Sequence, residues 1–278
     1  MNIQILPYNK APLPALKHLW LTCFDDTAEY VDFFFENRLP PSLSVVAATD
    51  NELLGAAYLL PAYIRDAGIL RPAFYLYALG VAPTARNMGI GRSLLEQSFA
   101  FAEERDAVIF LRPATAELIR YYEKAGMCAS HYAKVVDFRP TEDRSGTEIC
   151  PLTPELCYTL WELASTKNGS VFWTPGHVRY ALAENQMSGG FALADPVNGS
   201  FAIGHLRDSS LLLTECFSPE PASFLAALCK QQRAAGARVR FGADASEADA
   251  SPLVMTYNMH RPQSAPLGLL LDGPLEDL

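Results

Sequence analysis

The segment from Tyr75 to Leu95 constrains the fold of this chain more than any other part of the sequence. It begins as an apolar and aromatic run, which predicts a buried strand that Pro83 brings to an end. A loop containing Gly89 and Gly91 follows, and a helical pattern starts directly after it. The predicted apolar stripe of this helix consists of Leu94, Leu95, Phe99 and Ala102.

A strand, a glycine loop and a helix in direct succession suit the binding of a phosphate. The first N–H groups of a helix have no partner inside it, and the helix dipole adds partial positive charge there. Gly89 and Gly91 carry no Cβ atoms that would keep an anion away, and Arg86 and Arg92 add positive charge. The alternative for the loop alone is an ordinary tight connection that carries solvated arginines.

The common nucleotide motifs do not fit this loop. A P-loop requires Gly-Lys-Ser/Thr, and the dinucleotide fingerprint requires three glycines over six positions. The segment Arg86-Asn-Met-Gly89-Ile-Gly91, preceded by Val81-Ala-Pro83, instead resembles the acetyl-CoA loop of the GNAT superfamily of N-acetyltransferases. A second segment, Leu-Ile-Arg-Tyr-Tyr-Glu-Lys-Ala-Gly-Met at 118–127, resembles the Phe-Tyr-x-x-x-Gly-Phe segment of the same family.

The resemblance implies an α+β GNAT fold, with a mixed central sheet flanked by helices, and acetyl-CoA as cosubstrate. It implies that the backbone of Leu79, Gly80 and Val81 holds the pantetheine arm, with Gly80 easing a local splay of the strand. It also assigns the phosphates to the loop formed by Arg86, Asn87, Met88, Gly89, Ile90, Gly91 and Arg92. The pair Asn87-Met88 departs from the commoner basic or glycine pair and weakens the positive field, and Met127 replaces the usual Phe.

The resemblance also points to Tyr122 as the acid that protonates the leaving thiolate. A phenol with a pKa near 10 is protonated at neutral pH, which suits that role. Tyr121 lies about 100° away around the helix and cannot do the same job; core packing is the alternative for either tyrosine. The predicted strand from Phe74 to Val81 contains no acid, so the general base stays open, and Tyr75 and Tyr77 line either the acceptor pocket or the core.

An acidic cluster lies between two predicted helices near the start of the chain. Asp25, Asp26 and Glu29 either hold a substrate cation or belong to the start of the second helix. We favour the second interpretation, in which Asp26 or Thr27 caps that helix and Glu29 lies in its first turn.

The order of elements predicts where the chain divides. Up to Phe138 the predicted order is two helices, a hairpin and a less regular stretch over 65–72. The strand that begins at Tyr75 and its helix come next, and then strand, helix and strand. We therefore predict a catalytic GNAT domain over residues 1–138, a linker over 139–151 and a degenerate GNAT-like domain over 152–278. The final residues, 261–278, are expected to form an edge strand or to remain loose.

The second half repeats this order but lacks the phosphate loop. At the corresponding place it carries Cys-Phe-Ser-Pro-Glu-Pro over 216–221, which has no glycine or arginine and would repel a pyrophosphate. The alternative is an unrelated α+β domain.

Composition limits the partners of the protein. The 278 residues carry a formal charge of −9, with 22 basic and 31 acidic residues and no basic run, which argues against nucleic acid. No apolar run reaches about 18 residues and the N-terminus lacks signal-peptide features, so we expect a cytoplasmic protein without membrane contact. The six cysteines contain no Cys-x-x-Cys and the five histidines form no cluster, which predicts free thiols and no metal site.

The sequence therefore predicts an N-acetyltransferase that moves an acetyl group from acetyl-CoA to a small-molecule or peptide amine. The alternative is a non-catalytic module that binds acyl-CoA in a regulatory or assembly role.

Overall fold

The computed structural model describes residues 4–6, 12–38, 43–50, 52–140, 148–165, 167–243 and 245–259. These residues form two compact units. The first contains the described residues up to Ser130 together with those from Val254 onward, and the second contains those between His131 and Leu253.

The first half of the chain supplies strands β1 to β6 and helices α1 to α4. Their order is β1 Gln4–Leu6, α1 Leu13–Cys23, α2 Ala28–Asn37, β2 Ser44–Ala48, β3 Leu53–Asp66, β4 Ile69–Val81, α3 Ile90–Glu103, β5 Val108–Leu111, α4 Ala116–Lys124 and β6 Cys128–Phe138. The second half continues with β7 Cys150–Pro151, α5 Pro154–Ala164, β8 Val171–Trp173, α6 Pro175–Met187, β9 Phe191–Asp195, β10 Ser200–Arg207, β11 Ser210–Phe217, α7 Pro221–Gln232, β12 Gly236–Ala243 and β13 Ser251–Tyr257.

The sheet of the first unit is antiparallel from β1 to β4 and then changes direction. Helix α3 is the crossover that makes β5 parallel to β4, with Ala73 opposite Val108. Strand β13 pairs antiparallel with β5, with Met255 opposite Leu111. The predicted apolar stripe of α3 is confirmed, because Leu94, Leu95, Phe99 and Ala102 are all buried.

The second unit repeats this succession of pairings. Strands β7, β9, β10 and β11 are antiparallel neighbours, and α7 is the crossover to β12, which is parallel to β11. Strand β6 then pairs antiparallel with β12, with Tyr132 opposite Ala243. One core cluster joins α7 to the sheet and contains Leu193, Ala202, Leu211, Leu213, Phe224, Leu225, Leu228, Cys229, Ala237 and Val239.

The compact units do not follow the predicted boundaries of 1–138, 139–151 and 152–278. The first unit ends at Ser130 inside β6, and residues 254–257 of β13 return to it. Each sheet is thus completed by a strand from the other half of the sequence, which no local pattern reveals. Most of the predicted linker, 141–147, and the tail over 261–278 lie outside the described residues.

The stretch over 65–72 is a hairpin and not the irregular segment that the sequence predicts. Strand β3 runs to Asp66 and β4 starts at Ile69, so Ala67 and Gly68 alone make the turn, both with positive φ. Alanine is an unusual residue at a left-handed turn position, which explains why the turn is hard to recognise in the sequence. Arg71 stabilises this end of the hairpin through a buried ion pair with Asp66, at 2.6 Å.

Candidate active site

The loop between β4 and α3 contains two residues in the left-handed region. Asn87 has φ +65° and Gly89 has φ +79°. A Cβ atom added at Gly89 would meet nothing within 4 Å, so glycine is favoured there by the backbone conformation and not by crowding. Asparagine tolerates the left-handed region better than most residues. Asn87 therefore has a conformational reason to be in the loop.

Helix α3 starts directly behind these residues. Its first intrahelical hydrogen bond runs from the Ser93 N–H to the Gly89 carbonyl, at 3.1 Å. The N–H groups before Ser93 have no intrahelical acceptor, as at every helix start. Ile90 is buried and anchors the turn, whereas Asn87 and Met88 are exposed. The loop thus presents backbone donors on an exposed surface above an apolar anchor.

The two arginines of the loop have different surroundings. Arg86 is exposed, and its Nε donates to the Val81 carbonyl at 3.3 Å. Arg92 pairs with Glu96 at 2.8 Å, and its Nη1 donates to the Lys124 carbonyl at the end of α4, at 3.3 Å. Arg92 therefore connects α3 to α4, whereas Arg86 remains beside the loop.

Strand β4 has a bulge ahead of its last residues. Tyr58 is opposite Tyr77 and Ala56 is opposite Gly80, so β4 has one residue more than β3 between these pairs. Ala78 lies in this bulge with φ +46°. The bulge is thus at Ala78, two residues before Gly80, and the role of Gly80 in easing a splay of the strand stays a prediction.

Beyond the bulge, β4 separates from its parallel neighbour. Pairing with β5 covers Ala73, Phe74 and Tyr75 and, in the described part of the chain, goes no further along β4. The edge that carries Leu79 and Val81 can therefore form main-chain hydrogen bonds with a ligand lying beside it.

Gly80 has a packing role of its own. A Cβ atom there would lie 3.0 Å from the Cβ of Cys23 and 3.1 Å from the Phe24 ring. Such distances are shorter than ordinary contacts, so glycine allows the end of α1 to approach β4. Burial raises the pKa of the Cys23 thiol, and the nearby positive charge of Arg86 opposes this shift.

Tyr121 and Tyr122, adjacent on α4, occupy different environments. A Cβ atom added at Gly91 would lie 2.9 Å from the Tyr121 hydroxyl, 3.7 Å from Val81 and 3.8 Å from Leu79. The Tyr121 hydroxyl therefore lies above the first turn of α3, close to the open end of β4. Tyr121 is the less favoured tyrosine from the sequence alone, where its signal is its place next to Tyr122 inside the segment over 118–127.

Tyr122 is buried, with only 8% of its surface exposed. Burial, with a smaller contribution from Tyr121, raises its pKa to about 12. Its phenol is consequently protonated over the whole physiological pH range. The turn after this helix contains Gly126, which has φ +103°.

Aromatic side chains from α1 and α2 lie next to β4. The hydroxyls of Tyr30 and Tyr77 are 2.8 Å apart, and the Tyr77 ring stacks on Phe34 at 5.6 Å. Tyr75 is buried and contacts Phe110 at 5.2 Å, so it belongs to the core, whereas Tyr77 is only half-buried.

The start of α2 takes up part of the acidic cluster, as favoured from the sequence. The Thr27 hydroxyl accepts a hydrogen bond from the Tyr30 N–H at 3.2 Å, and Glu29 lies in the first helical turn. Asp26 accepts a hydrogen bond from the Trp20 indole at 2.7 Å.

The described residues carry few other candidate sites. Among them no three His, Cys, Asp or Glu side chains come together as a metal site would require. All six cysteines are among the described residues and are free thiols. No helix in the described ranges has the length and apolar character needed to cross a bilayer.

The segment that contains the loop matches a known protein family. Residues 13–127 match the model of the acetyltransferase (GNAT) family. No curated protein sequence matches the chain significantly.

Solved structures share the fold at low sequence identity. A probable N-acyltransferase from Enterococcus faecalis V583 is 13% identical with a TM-score of 0.73, and the alignment covers 92% of this chain and 72% of that one. A GCN5-related N-acetyltransferase from Anabaena variabilis is 14% identical with a TM-score of 0.73, covering 93% and 73%. Eis1 from Mycobacterium abscessus is 14% identical with a TM-score of 0.66, covering 92% and 73%.

The strand, bulge, loop and first helical turn of this site all lie inside the matched residues. The segment over 13–127 is therefore a domain of the acetyltransferase (GNAT) family.

Proposed function

We propose that the protein is an N-acetyltransferase that uses acetyl-CoA to acetylate a small-molecule or peptide amine. The observation that carries the proposal is the loop over 86–92, in which left-handed Asn87 and Gly89 expose the first backbone donors of α3. The open edge of β4 at Leu79 and Val81 supports the same site, because it offers main-chain partners to a pantetheine arm.

In the proposed reaction the amine attacks the thioester carbonyl, and the C–S bond of acetyl-CoA breaks. A backbone N–H on β4 near Gly80 stabilises the developing oxyanion. Tyr122 donates its proton to the departing thiolate, so the products are the acetylated amine and CoA. The high pKa of Tyr122 supports this role because the phenol stays protonated while the amine loses its proton.

Tyr121 is a further candidate contact with the cosubstrate, because its hydroxyl lies beside Gly91. The half-buried Tyr77, paired with Tyr30, forms part of the proposed acceptor side. The general base stays unassigned. Free thiols support a reducing compartment, and we place the protein in the cytoplasm on that ground.

A module that binds acyl-CoA without turnover is the second candidate. The lack of a carboxylate on β4 between Phe74 and Val81 favours it. Turnover with any amine would exclude it.

The first experiment is calorimetric titration of acetyl-CoA into the wild type and Gly89→Arg. The arginine side chain would cover the loop donors, so binding should be lost. Gly68→Arg is the matched control: Gly68 also has positive φ and also has nothing within 4 Å of an added Cβ, but it lies in the β3–β4 turn.

Binding by the wild type and by Gly68→Arg, but not by folded Gly89→Arg, would support the loop as the acetyl-CoA site. Absence of binding by the wild type would overturn the proposed function. Equal loss in both variants would assign the effect to backbone strain and not to the loop.

A further inference from the structure

The last described strand brings one aromatic residue against the proposed cosubstrate helix. Strand β13 pairs with β5, with Tyr257 opposite Ile109. The Tyr257 ring stacks on Phe99 of α3, with centroids 3.9 Å apart and planes 9° from parallel. The Tyr257 hydroxyl also donates a hydrogen bond to Glu103, one turn further along α3.

The Tyr257 ring also lies close to the turn that follows α4. A Cβ atom added at Gly126 would be 3.7 Å from Cε2 of Tyr257, an ordinary van der Waals distance. The same ring therefore borders both α3 and the end of α4. These two helices carry the loop donors and Tyr122.

A second connection joins the same two helices at the other end of α3. Arg92, in the first turn of α3, donates to the Lys124 carbonyl at the end of α4. Tyr257 reaches the last turns of α3. The helix is thus fixed near both ends relative to α4.

The position of Tyr257 is itself fixed by its neighbour in the chain. The Asn258 side chain donates to the Ala107 carbonyl at 3.0 Å, and the Asn258 carbonyl accepts from Arg71 at 2.9 Å. Arg71 also pairs with Asp66 at 2.6 Å and Asp106 at 2.7 Å. This network sets the register of the strand end.

We propose that Tyr257 is a positioning residue for the acyl-CoA site, and this inference rests on the proposed function. Because its ring borders both α3 and the turn at Gly126, Tyr257 sets the position of the start of α3, at Gly91, relative to Tyr122. A helix is a stiff element, so a displacement where Tyr257 packs changes the position of its first turn. Tyr257 acts through the two helices and touches no reacting atom.

The test compares Tyr257→Leu with Val254→Ala in the full-length chain. Leucine keeps apolar volume but removes the flat stack and the hydroxyl. Val254 is buried and lies on the opposite face of the same strand by alternation, so its truncation loosens the strand without touching α3. Tyr257→Phe, which retains the stack, should restore the wild-type behaviour in large part.

Three measurements are made on each folded variant: the Kd for acetyl-CoA, the Tm, and hydrogen exchange of residues 93–95, whose N–H groups are the first with intrahelical acceptors. We expect Tyr257→Leu to bind roughly tenfold more weakly and to exchange faster in this turn, while Val254→Ala does neither. If Tyr257→Leu does not fold, Phe99→Leu removes the same stack from the helix side and takes its place.

The inference is overturned if both variants bind and exchange like the wild type, or if both are weakened equally at equal loss of Tm. If the wild type binds no acetyl-CoA, the proposed function fails. The exchange measurement then decides the positioning role alone, because faster exchange only in Tyr257→Leu supports it and unchanged exchange overturns it.

Discussion

The β4–α3 connection of the first unit and the β11–α7 connection of the second occupy equivalent places in their sheets. Both come after a bulged strand, which is β4 in the first unit and β11 in the second. In β4 the extra residue falls around Ala78, and in β11 it is Thr214, because Ile203 faces Glu215 while Gly204 faces Leu213. The bulge is therefore common to both units.

The connections after the two bulged strands differ in length and chemistry. The first unit uses residues 82–89 before α3 begins, and two of them are left-handed. The second unit uses only residues 218–220, where the Ser218 hydroxyl accepts a hydrogen bond from the Glu220 N–H at 3.1 Å. Pro221 opens α7 and has no N–H to offer an anion.

Under the proposed function, topology and a bulge do not create a phosphate site by themselves. The loop must also be long enough to turn backbone donors outward, and no carboxylate such as that of Glu220 can stand among them. The role of the second unit as a degenerate GNAT-like domain stays a prediction that this contrast supports.

The largest expected effect is on the folding of the first unit, whose sheet is completed by β13. A chain ending at residue 253 loses the part of β13 that pairs with β5, together with the Tyr257 stack and the Asn258 bonds. We expect the first unit to lose cooperative folding. Circular dichroism and thermal unfolding of this chain, compared with one ending at residue 259, would check this, and a normal transition in the shorter chain would contradict it.

The next effect concerns catalysis by the first unit. Tyr122→Phe removes the proposed acid and should lower kcat about 100-fold with an accepted amine, while the Kd for acetyl-CoA changes less than about twofold. Because the Tyr122 pKa is raised to about 12, the wild-type rate should show no decline from loss of this acid between about pH 7 and 10. Kinetics over that range would test both statements, with Tyr180→Phe, a buried tyrosine of the second unit, as the control. A parallel loss of affinity in Tyr122→Phe would indicate a packing role.

A smaller effect is expected where the loop meets α4. In Gly91→Ala the new methyl group would lie 2.9 Å from the Tyr121 hydroxyl, so we expect a loss of about 1–2 kcal/mol in the free energy of unfolding. Adding Tyr121→Phe removes the hydroxyl and should restore part of that loss. Chemical denaturation of the two single variants and the double variant gives the coupling, and strict additivity would rule out the contact.

The smallest effect concerns the pH dependence of the second unit, which contains both His131 and His205. Burial lowers the pKa of His131, opposed by its hydrogen bond to the Gly169 carbonyl, and burial also lowers that of His205. A depressed folded-state pKa gives stability that is present above about 6.5 and lost as the pH falls, at most about 1.4 kcal/mol per pH unit for each group. The Tm should therefore be lower at about pH 5.5 than at about pH 7.5, and His131→Gln should show a smaller decrease. Equal decreases in the wild type and the variant would contradict the assignment to His131.

Local elements were readable from the sequence because their signals are local. The stripe of α3, the cap at Thr27 and the left-handed Gly126 follow from periodicity, side-chain chemistry and glycine. The bulge at Ala78 could not be predicted from the sequence, because alanine rarely adopts a positive φ. The turn at Ala67-Gly68 was missed for the same reason.

The sequence by itself determined the order of the elements, the glycine loop and the matched GNAT segment over 13–127, since these depend on residues close together in the chain. Only the tertiary structure decided which strand completes each sheet. It also decided that Arg92 binds the end of α4 and that Tyr257 packs on Phe99. Such choices depend on the packing of residues far apart in sequence, which neither periodicity nor a short motif records.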